Sequence, residues 1–317
     1  MHWANNQSPK RIFFMNNKSN GARLLVLDAT KCRIISLNEN GGDRTVVIEK
    51  CAGYPDGIAI DPVNRHIYWT NMGEERTGEH FYENDGSIER ADFDGSNRKM
   101  IIPKGGTVTP KQMQLDLTNG FIYWCDREGM RVMRAKLDGS DITTLIQTGH
   151  GVEDRKDETR HCVGIAIDAE NGYFYWTQKG PANGGKGRIF RAPLNFPPGA
   201  NPAQRKDIEL LWDNLPEPID LEIDHLNGKL YWTDRGDGPG GNTLNRANIR
   251  NQVSGPVEIL CTGLKEGIGL VLDVKNSTAY FGDLGGNLYS CQLDGSNRRI
   301  LYSGDSMLTG IAYVANV

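Results

Sequence analysis

The chain contains no run of the roughly 18 to 20 consecutive apolar residues needed to cross a membrane as a helix. This excludes a helical membrane span from the reading. It also has no basic tail or stripe. Its 36 Lys and Arg stand against 40 Asp and Glu, so a nucleic-acid partner has no electrostatic support. The opening segment MHWANNQSPKRIFFMNN lacks the long apolar run and small-residue cleavage site of a signal peptide, which points to a cytoplasmic protein. The sequons at Asn17 and Asn276 are then chance matches, because glycosylation requires secretion. The six cysteines are widely and irregularly spaced and form no CxxC pair, so free thiols in a reducing compartment are expected. Zinc held by Cys125, Cys162 and His161 is the alternative. HExxH, GxSxG, P-loop and Rossmann patterns are all missing.

What the chain has in quantity is glycine, 38 residues without a three-residue period, and a long internal repeat. His225 to Gly236 (HLNGKLYWTDRG) follows the alternating run Ile219 to Asp224. The pair predicts a strand, a tight Asn-Gly turn and a second strand. Equivalent segments are IDPVNRHIYWTN at 60–71, LDLTNGFIYWCD at 115–126 and IDAENGYFYWTQ at 167–178, with a weaker LDVKNSTAYFGD at 272–283. Tyr68, Tyr123, Tyr175, Tyr231 and Tyr280 thus recur every 49 to 56 residues. Two further strands follow each copy, often joined by Asp-Gly-Ser turns. A four-strand repeat of this length is a propeller blade.

Six units are visible. The first lacks an initial strand, and Thr309 to Val314 (TGIAYV) has the pattern of the missing one. The reading is therefore an all-β, six-bladed propeller of four-stranded antiparallel blades, its first blade completed by the C-terminal strand. Residues 1–22 form a lead-in and residues 23–317 a single domain. The Tyr-Trp pairs are assigned to packing between blades, one ring on each face of the strand. Asp61, Asp116, Asp168, Asp224 and Asp273 are assigned as acceptors for the turn after each first strand.

These segments closely resemble the YWTD six-bladed propellers of the low-density-lipoprotein-receptor type, across nearly all of residues 23–314. The sequence departs from that pattern in the aromatic-free Leu25 to Asp28, in Cys125 for Thr, and in Asn71 and Gln178 for Asp. It lacks the flanking growth-factor-like modules. As a stand-alone propeller it is similar to the fungal hetero-Diels-Alderases of tropolone-sesquiterpenoid pathways. That resemblance implies dehydration of a hydroxymethyl tropolone to a quinone methide, then cycloaddition to a humulene-type alkene. It implies hydrophobic polyketide and terpene substrates and no redox cofactor.

The long insertions at 71–86, 103–111, 147–162, 178–187 and 234–242 fall on one face; only 195–206 falls on the other. Irregular loops on a rigid scaffold carry function, so a walled pocket over the channel is expected. Candidate catalytic residues are His161, Asp56 and Lys111: an imidazole that titrates near neutrality, a carboxylate to complement it, and a cation to stabilise an enolate-like oxygen. Candidate substrate-binding residues are Gln112, Arg127, Asp220, Glu266, His80, Tyr82, Arg235 and Thr309. Two other readings stay open. One is a non-catalytic protein-binding propeller. The other is a metal-dependent lactonase or hydrolase, with calcium or magnesium on the hard oxygens of Asp56, Asp220 and Glu266. Oligomeric state is open.

Overall fold

The computed structural model describes residues 21–74, 81–250 and 253–315. Blade 1 contains β1 (Arg23–Asp28), β2 (Arg33–Asn38) and β3 (Thr45–Ile48). Blade 2 contains β4 (Pro55–Asp61), β5 (His66–Asn71), β6 (Gly86–Asp92) and β7 (Lys99–Thr107). Blade 3 contains β8 (Pro110–Asp116), β9 (Phe121–Asp126), β10 (Arg131–Lys136) and β11 (Thr143–Gln147). Blade 4 contains β12 (Cys162–Asp168), β13 (Tyr173–Gln178), β14 (Gly187–Pro193) and β15 (Glu209–Leu215). Blade 5 contains β16 (Pro218–Asp224), β17 (Lys229–Asp234), β18 (Thr243–Asn248) and β19 (Glu258–Cys261). Blade 6 contains β20 (Gly267–Asp273), β21 (Thr278–Asp283), β22 (Asn287–Gln292) and β23 (Arg299–Ser303).

The last strand, β24 (Leu308–Val314), pairs antiparallel with β1 and completes blade 1 as its innermost strand. Chain closure therefore joins the two ends of the domain in one sheet, as the sequence predicts. The first strands β24, β4, β8, β12, β16 and β20 each touch the next, making a closed ring about the channel.

The repeated aromatics divide between the two faces of each second strand. Trp69 is fully buried against Leu25, Leu27 and Val314 of blade 1, while neighbouring Tyr68 packs with Trp124 and Met113 of blade 3. The aspartates act locally. Asp61 Oδ1 accepts the Val63 and Asn64 backbone N–H groups, and Asp116, Asp168, Asp224 and Asp273 cap their turns through Asn119, Asn171, Asn227 and Asn276.

The YWT threonine joins blades. Thr70 Oγ1 accepts the Gly57 N–H at 2.8 Å and donates to Lys111 O of the next blade at 2.9 Å. Thr177 does the same between Gly164 and Ile219, and Thr233 between Asp220 and Ile268. Blade 3 has Cys125 at this position, whose thiol donates to Gly164 O.

The sequence-based reading of 147–162 as irregular is corrected: a short helix α1 (Gly151–Arg155) and a 3-10 turn (Glu158–Arg160) lie within it. The turn starts at Asp157, whose side chain accepts the Thr159 N–H. Among the described residues no helix is long and apolar enough to cross a membrane.

Candidate functional site

All six innermost strands carry a bulge near the same end of the channel. In β4, Pro55 pairs with Asn71 but Ile58 pairs with Trp69, so one extra residue is accommodated between them. The same shift occurs in β8, β12, β16, β20 and β24. A bulge re-aims its side chains and terminates regular pairing. Here it lies over Asp56, Lys111, Val163, Ile219, Ile268 and Thr309, one residue from each blade. The next residue approaches the neighbouring blade closely: a Cβ added at Gly57 would lie 2.5 Å from Lys111 O.

Two more sixfold sets follow from the same register. The residues after the second strands are Ala29, Met72, Arg127, Lys179, Arg235 and Leu284. The residues two positions before the bulge are Met307, Tyr54, Thr109, His161, Glu217 and Glu266. Backbone hydrogen bonds lock the two sets together, from Met72 N to Tyr54 O, Arg127 N to Thr109 O, Arg235 N to Glu217 O, Leu284 N to Glu266 O and Ala29 N to Met307 O.

Members of these sets from blades 1, 2, 3, 5 and 6 line a cleft of about 140 Å³ at the channel mouth. An enclosed volume of about 150 Å³ accommodates a benzene-sized guest. The cleft is chemically two-sided. Tyr54, Met72, Phe81, Ile268, Leu284 and Met307 give it apolar surface, while Asp56, Lys111, Arg127, Arg235, Glu266 and Thr309 supply polar groups. Below its apolar side, Val163, Ile219 and Ile268 form a small cluster of their own.

Lys111 Nζ lies 2.8 Å from Asp56 Oδ1 and 3.2 Å from Met72 Sδ. Burial pushes the Lys111 ammonium down to about 8; the Asp56 carboxylate opposes that shift and the Arg127 cation adds to it. Asp56 is 1% exposed, and its second oxygen, Oδ2, has no hydrogen-bond partner. Arg127 is fixed by the buried Glu128 carboxylate, with Nε 2.7 and 2.8 Å from its two oxygens. The Arg127 guanidinium also stands over the Phe81 ring, which meets Tyr54 edge-on.

The opposite wall is an ion-pair chain. Glu217, buried, accepts from Arg235 Nε at 2.7 Å and from Lys179 Nζ at 3.2 Å. Lys179 also reaches Glu158 at 3.1 Å, and Arg235 reaches Glu266 at 3.8 Å. Inside the channel, Gln114 Nε2 donates to Glu222 Oε1 at 2.9 Å, linking blades 3 and 5. Burial pushes the Glu222 carboxyl up to about 7, and burial beside Glu222 raises Asp220 well above the usual carboxylate range.

Of the residues chosen from sequence, Asp56, Lys111, Arg127, Arg235, Glu266 and Thr309 come together around the cleft. His161 does not line it. Its ring is buried, and Nε2 lies 2.8 Å from Arg155 O; burial lowers its pKa. Gln112 donates to Asp56 O, and Asp220 accepts the Leu221 and Leu270 N–H groups, so both build the channel wall. Tyr82 is partly exposed beside Phe81, and its carbonyl accepts from Arg155. His80 lies outside the described residues. Sequence reasoning missed Met72, Glu128, Lys179 and Glu217. The YWTD register identifies Met72 and Lys179 once each blade is aligned, whereas the pairing of Glu128 and Glu217 is tertiary. Among the described residues no group of three or more His, Cys, Asp or Glu is arranged to hold a metal ion, and all six cysteines are free thiols.

No family model matches the chain. It is 45% identical over 293 residues to a Pyricularia oryzae protein named low-density lipoprotein receptor-related protein 1, across 89% of this chain and 92% of that one. It is 37% identical over 314 residues to 3-hydroxyacyl-CoA dehydrogenase-like protein LAM1 of Cochliobolus heterostrophus, covering 95% of this chain and 64% of that protein. Among solved structures, a chain of a nidogen/laminin complex superposes with a TM-score of 0.72 and 21% identity, over 93% of this chain and 99% of that one. This last likeness is one of fold.

Proposed function

The chain belongs to one family with the Pyricularia oryzae low-density lipoprotein receptor-related protein 1, and we propose that within it this propeller is a small-molecule enzyme of fungal secondary metabolism. The reaction we assign is dehydration of a hydroxymethyl tropolone, followed by hetero-Diels-Alder addition of the quinone methide to a humulene-type sesquiterpene. The observation that carries this reading is the buried Asp56 carboxylate beside Lys111, with one oxygen bonded to the lysine and the other without a partner. An unpartnered buried acceptor is costly unless something supplies a donor. An enolic O–H on the ligand supplies it.

The proton inventory closes on these two residues. Asp56 Oδ2 takes the ring O–H proton as the hydroxymethyl C–O bond breaks. Lys111 gives a proton to the departing hydroxyl, which leaves as water. Exchange with the released water then carries the proton from Asp56 Oδ2 to Lys111, and the pair, joined at Oδ1 across 2.8 Å, is restored. An ammonium near 8 suits a general acid at neutral pH. The Arg127 guanidinium, which also lines the cleft, is the cation we assign to the developing oxygen charge. The cycloaddition then forms one C–C and one C–O bond without moving a proton or consuming a cofactor. The protein's part in that step is to hold both partners at reacting distance and exclude water. On this reading the ring sits in the open cleft beside Asp56 and Lys111, and the terpene rests on the apolar wall around Met72, Leu284 and Met307. The dehydrogenase-like name of the Cochliobolus relative supports a setting in small-molecule metabolism. On this reading the protein works in the cytoplasm.

The test separates the steps. Hydroxymethyl tropolone is incubated with the protein and a thiol trap, then with a humulene-type alkene, and products are followed by chiral chromatography and mass spectrometry. Faster thiol adduct formation, one cycloadduct stereoisomer, and loss of at least about 100-fold in Lys111→Met and Asp56→Asn are expected, the scale of a lost acid–base group. No acceleration of either step by the folded wild-type protein overturns the assignment.

A further inference from the structure

A second cleft, of about 320 Å³, opens where the blade 3 strands meet the helical insertion, and it shares no lining residue with the first. Arg131 and Arg155 line it together with Asn84, Gln147 and His150, beside the exposed backbone of Gly105 and Gly151. The Nε–H of each arginine is buried and has no acceptor.

The nearby acids are already engaged. Asp126 is fully buried. It accepts the Val108 and Thr109 N–H groups and pairs with Arg131 Nη2 at 2.5 Å. The Asp154 carboxylate accepts the His150 N–H at 2.7 Å and faces Arg160 at 3.8 Å. Gln147 spends its amide N–H groups on the Gly149, Gly129 and Met130 carbonyls. Arg155 donates from Nη1 to Tyr82 O at 2.7 Å, and no carboxylate pairs with it among the described residues. The cleft therefore holds one cation balanced by a fixed carboxylate and a second that is not, with donors outnumbering acceptors. Paired guanidinium forks match the oxygens of phosphate groups.

We propose that this cleft is a second ligand site, which binds a phosphate group. Arg155 and Arg131 are its donors, and Gly105 and Gly151, which carry no side chain, let the ligand approach the backbone at its rim. The site is mechanically joined to the first cleft. Arg155 holds the Tyr82 carbonyl, and the adjacent Phe81 lines the first cleft and has its own carbonyl held by Thr109 Oγ1 at 2.8 Å. Occupancy would fix the 81–82 segment against the propeller.

The experiment is calorimetric titration of the full chain with inorganic phosphate and, separately, with glycerol 3-phosphate, at constant ionic strength against chloride and without any substrate. Saturable binding is expected, weakened at least tenfold in Arg155→Met and in Asn84→Asp, which adds a negative charge to the cleft. Arg131 is left unaltered because Asp126 depends on it. Lys111→Met in the first cleft should bind phosphate as wild type does. Tighter binding of glycerol 3-phosphate supports a phosphorylated metabolite, whereas equal or tighter inorganic phosphate supports the free ion. No saturable binding of either probe overturns the proposal. So does binding that survives both cleft substitutions in folded protein, or that is lost in Lys111→Met.

Discussion

Lys111 donates to Asp56 across 2.8 Å from an adjacent blade, and the pair leaves Asp56 Oδ2 unbonded at the channel mouth. The lysine is buried at a cost: its ammonium is held near 8, against an ordinary 10.5. The unfolded chain keeps this proton up to about pH 10.5, while the folded chain releases it near 8. Between those values the unfolded state binds more protons, so this group makes stability rise with pH. The penalty is fully present below pH 8. Urea unfolding of wild type at pH 7.5 and 10 should show a gain of up to about 3 kcal/mol from this group. Lys111→Met should lack that gain. Equal pH slopes for the two proteins would remove the basis for a tuned ammonium here.

The threonine links between blades predict a different class of effect. Thr177 Oγ1 both accepts the Gly164 N–H at 2.7 Å and donates to Ile219 O at 2.9 Å. Thr177→Val keeps the shape but leaves two buried groups unsatisfied, a loss of about 2–4 kcal/mol. Blade 3 offers the converse. Cys125 has only a weak thiol donor toward Gly164 O, at 3.2 Å. Cys125→Thr should raise the denaturation midpoint, by about 1 kcal/mol in equilibrium terms. A destabilised Cys125→Thr protein, or a Thr177→Val protein as stable as wild type, would show that these links contribute nothing.

Much of this architecture is legible in one chain because the blade repeats its chemistry. Tyr231-Trp232-Thr233-Asp234 and its copies mark the second strands of blades 2 to 6, and the aspartate before each turn marks the first strands of the same blades. TGIAYV at the C terminus matches the strand that blade 1 lacks. The site was legible in part for the same reason: Asp56, Lys111, Arg127, Arg235, Glu266 and Thr309 occupy repeat-equivalent positions at one end of the channel. The inner-strand bulges were not legible, since no residue type marks them and they arise from pairing. Neither were the roles of Glu128 and Glu217, whose importance lies in partners that folding brings to them. His161 has the right chemistry on paper, but the helical insertion that engages it through Arg155 O has no strong signal in EDRKDETR.

Within the channel, Glu222 makes a prediction of opposite sign to Lys111. Its carboxyl is raised to about 7 by burial, from an ordinary 4.5, although Gln114 donates to it. The folded state therefore holds a proton that the unfolded state has already lost. Stability from this group is present below about pH 4.5 and declines as pH rises toward 7. Glu222→Gln retains an acceptor for Gln114 without the charge. It should stabilise the protein at pH 7.5 by about 1–3 kcal/mol and much less at pH 5. A variant equally stabilised at both values would locate the effect in packing instead of protonation.

Glu217 supports two cations, Lys179 and Arg235, from a position almost closed to solvent. Removing the central carboxylate leaves both short of their partner, and breaking a buried pair in this way costs about 3–5 kcal/mol. Glu217→Gln should thus be strongly destabilised in urea despite its near-identical shape. The loss arises largely from Lys179, which is more deeply buried than Arg235. Adding Lys179→Met removes the less hydrated of the two cations, which Glu217→Gln leaves with Glu158 alone, so the double variant should recover at least half of the loss and the two changes should be non-additive. Each cation keeps a second carboxylate, Lys179 at Glu158 3.1 Å away and Arg235 at Glu266 3.8 Å away, so hydration decides between them: the more exposed Arg235 loses less, and Arg235→Met should rescue Glu217→Gln less well. Strict additivity in both cycles would show that the three side chains act independently. The wall of the cleft opposite Asp56 would then owe its position to the backbone bond from Arg235 N to Glu217 O, not to the charges.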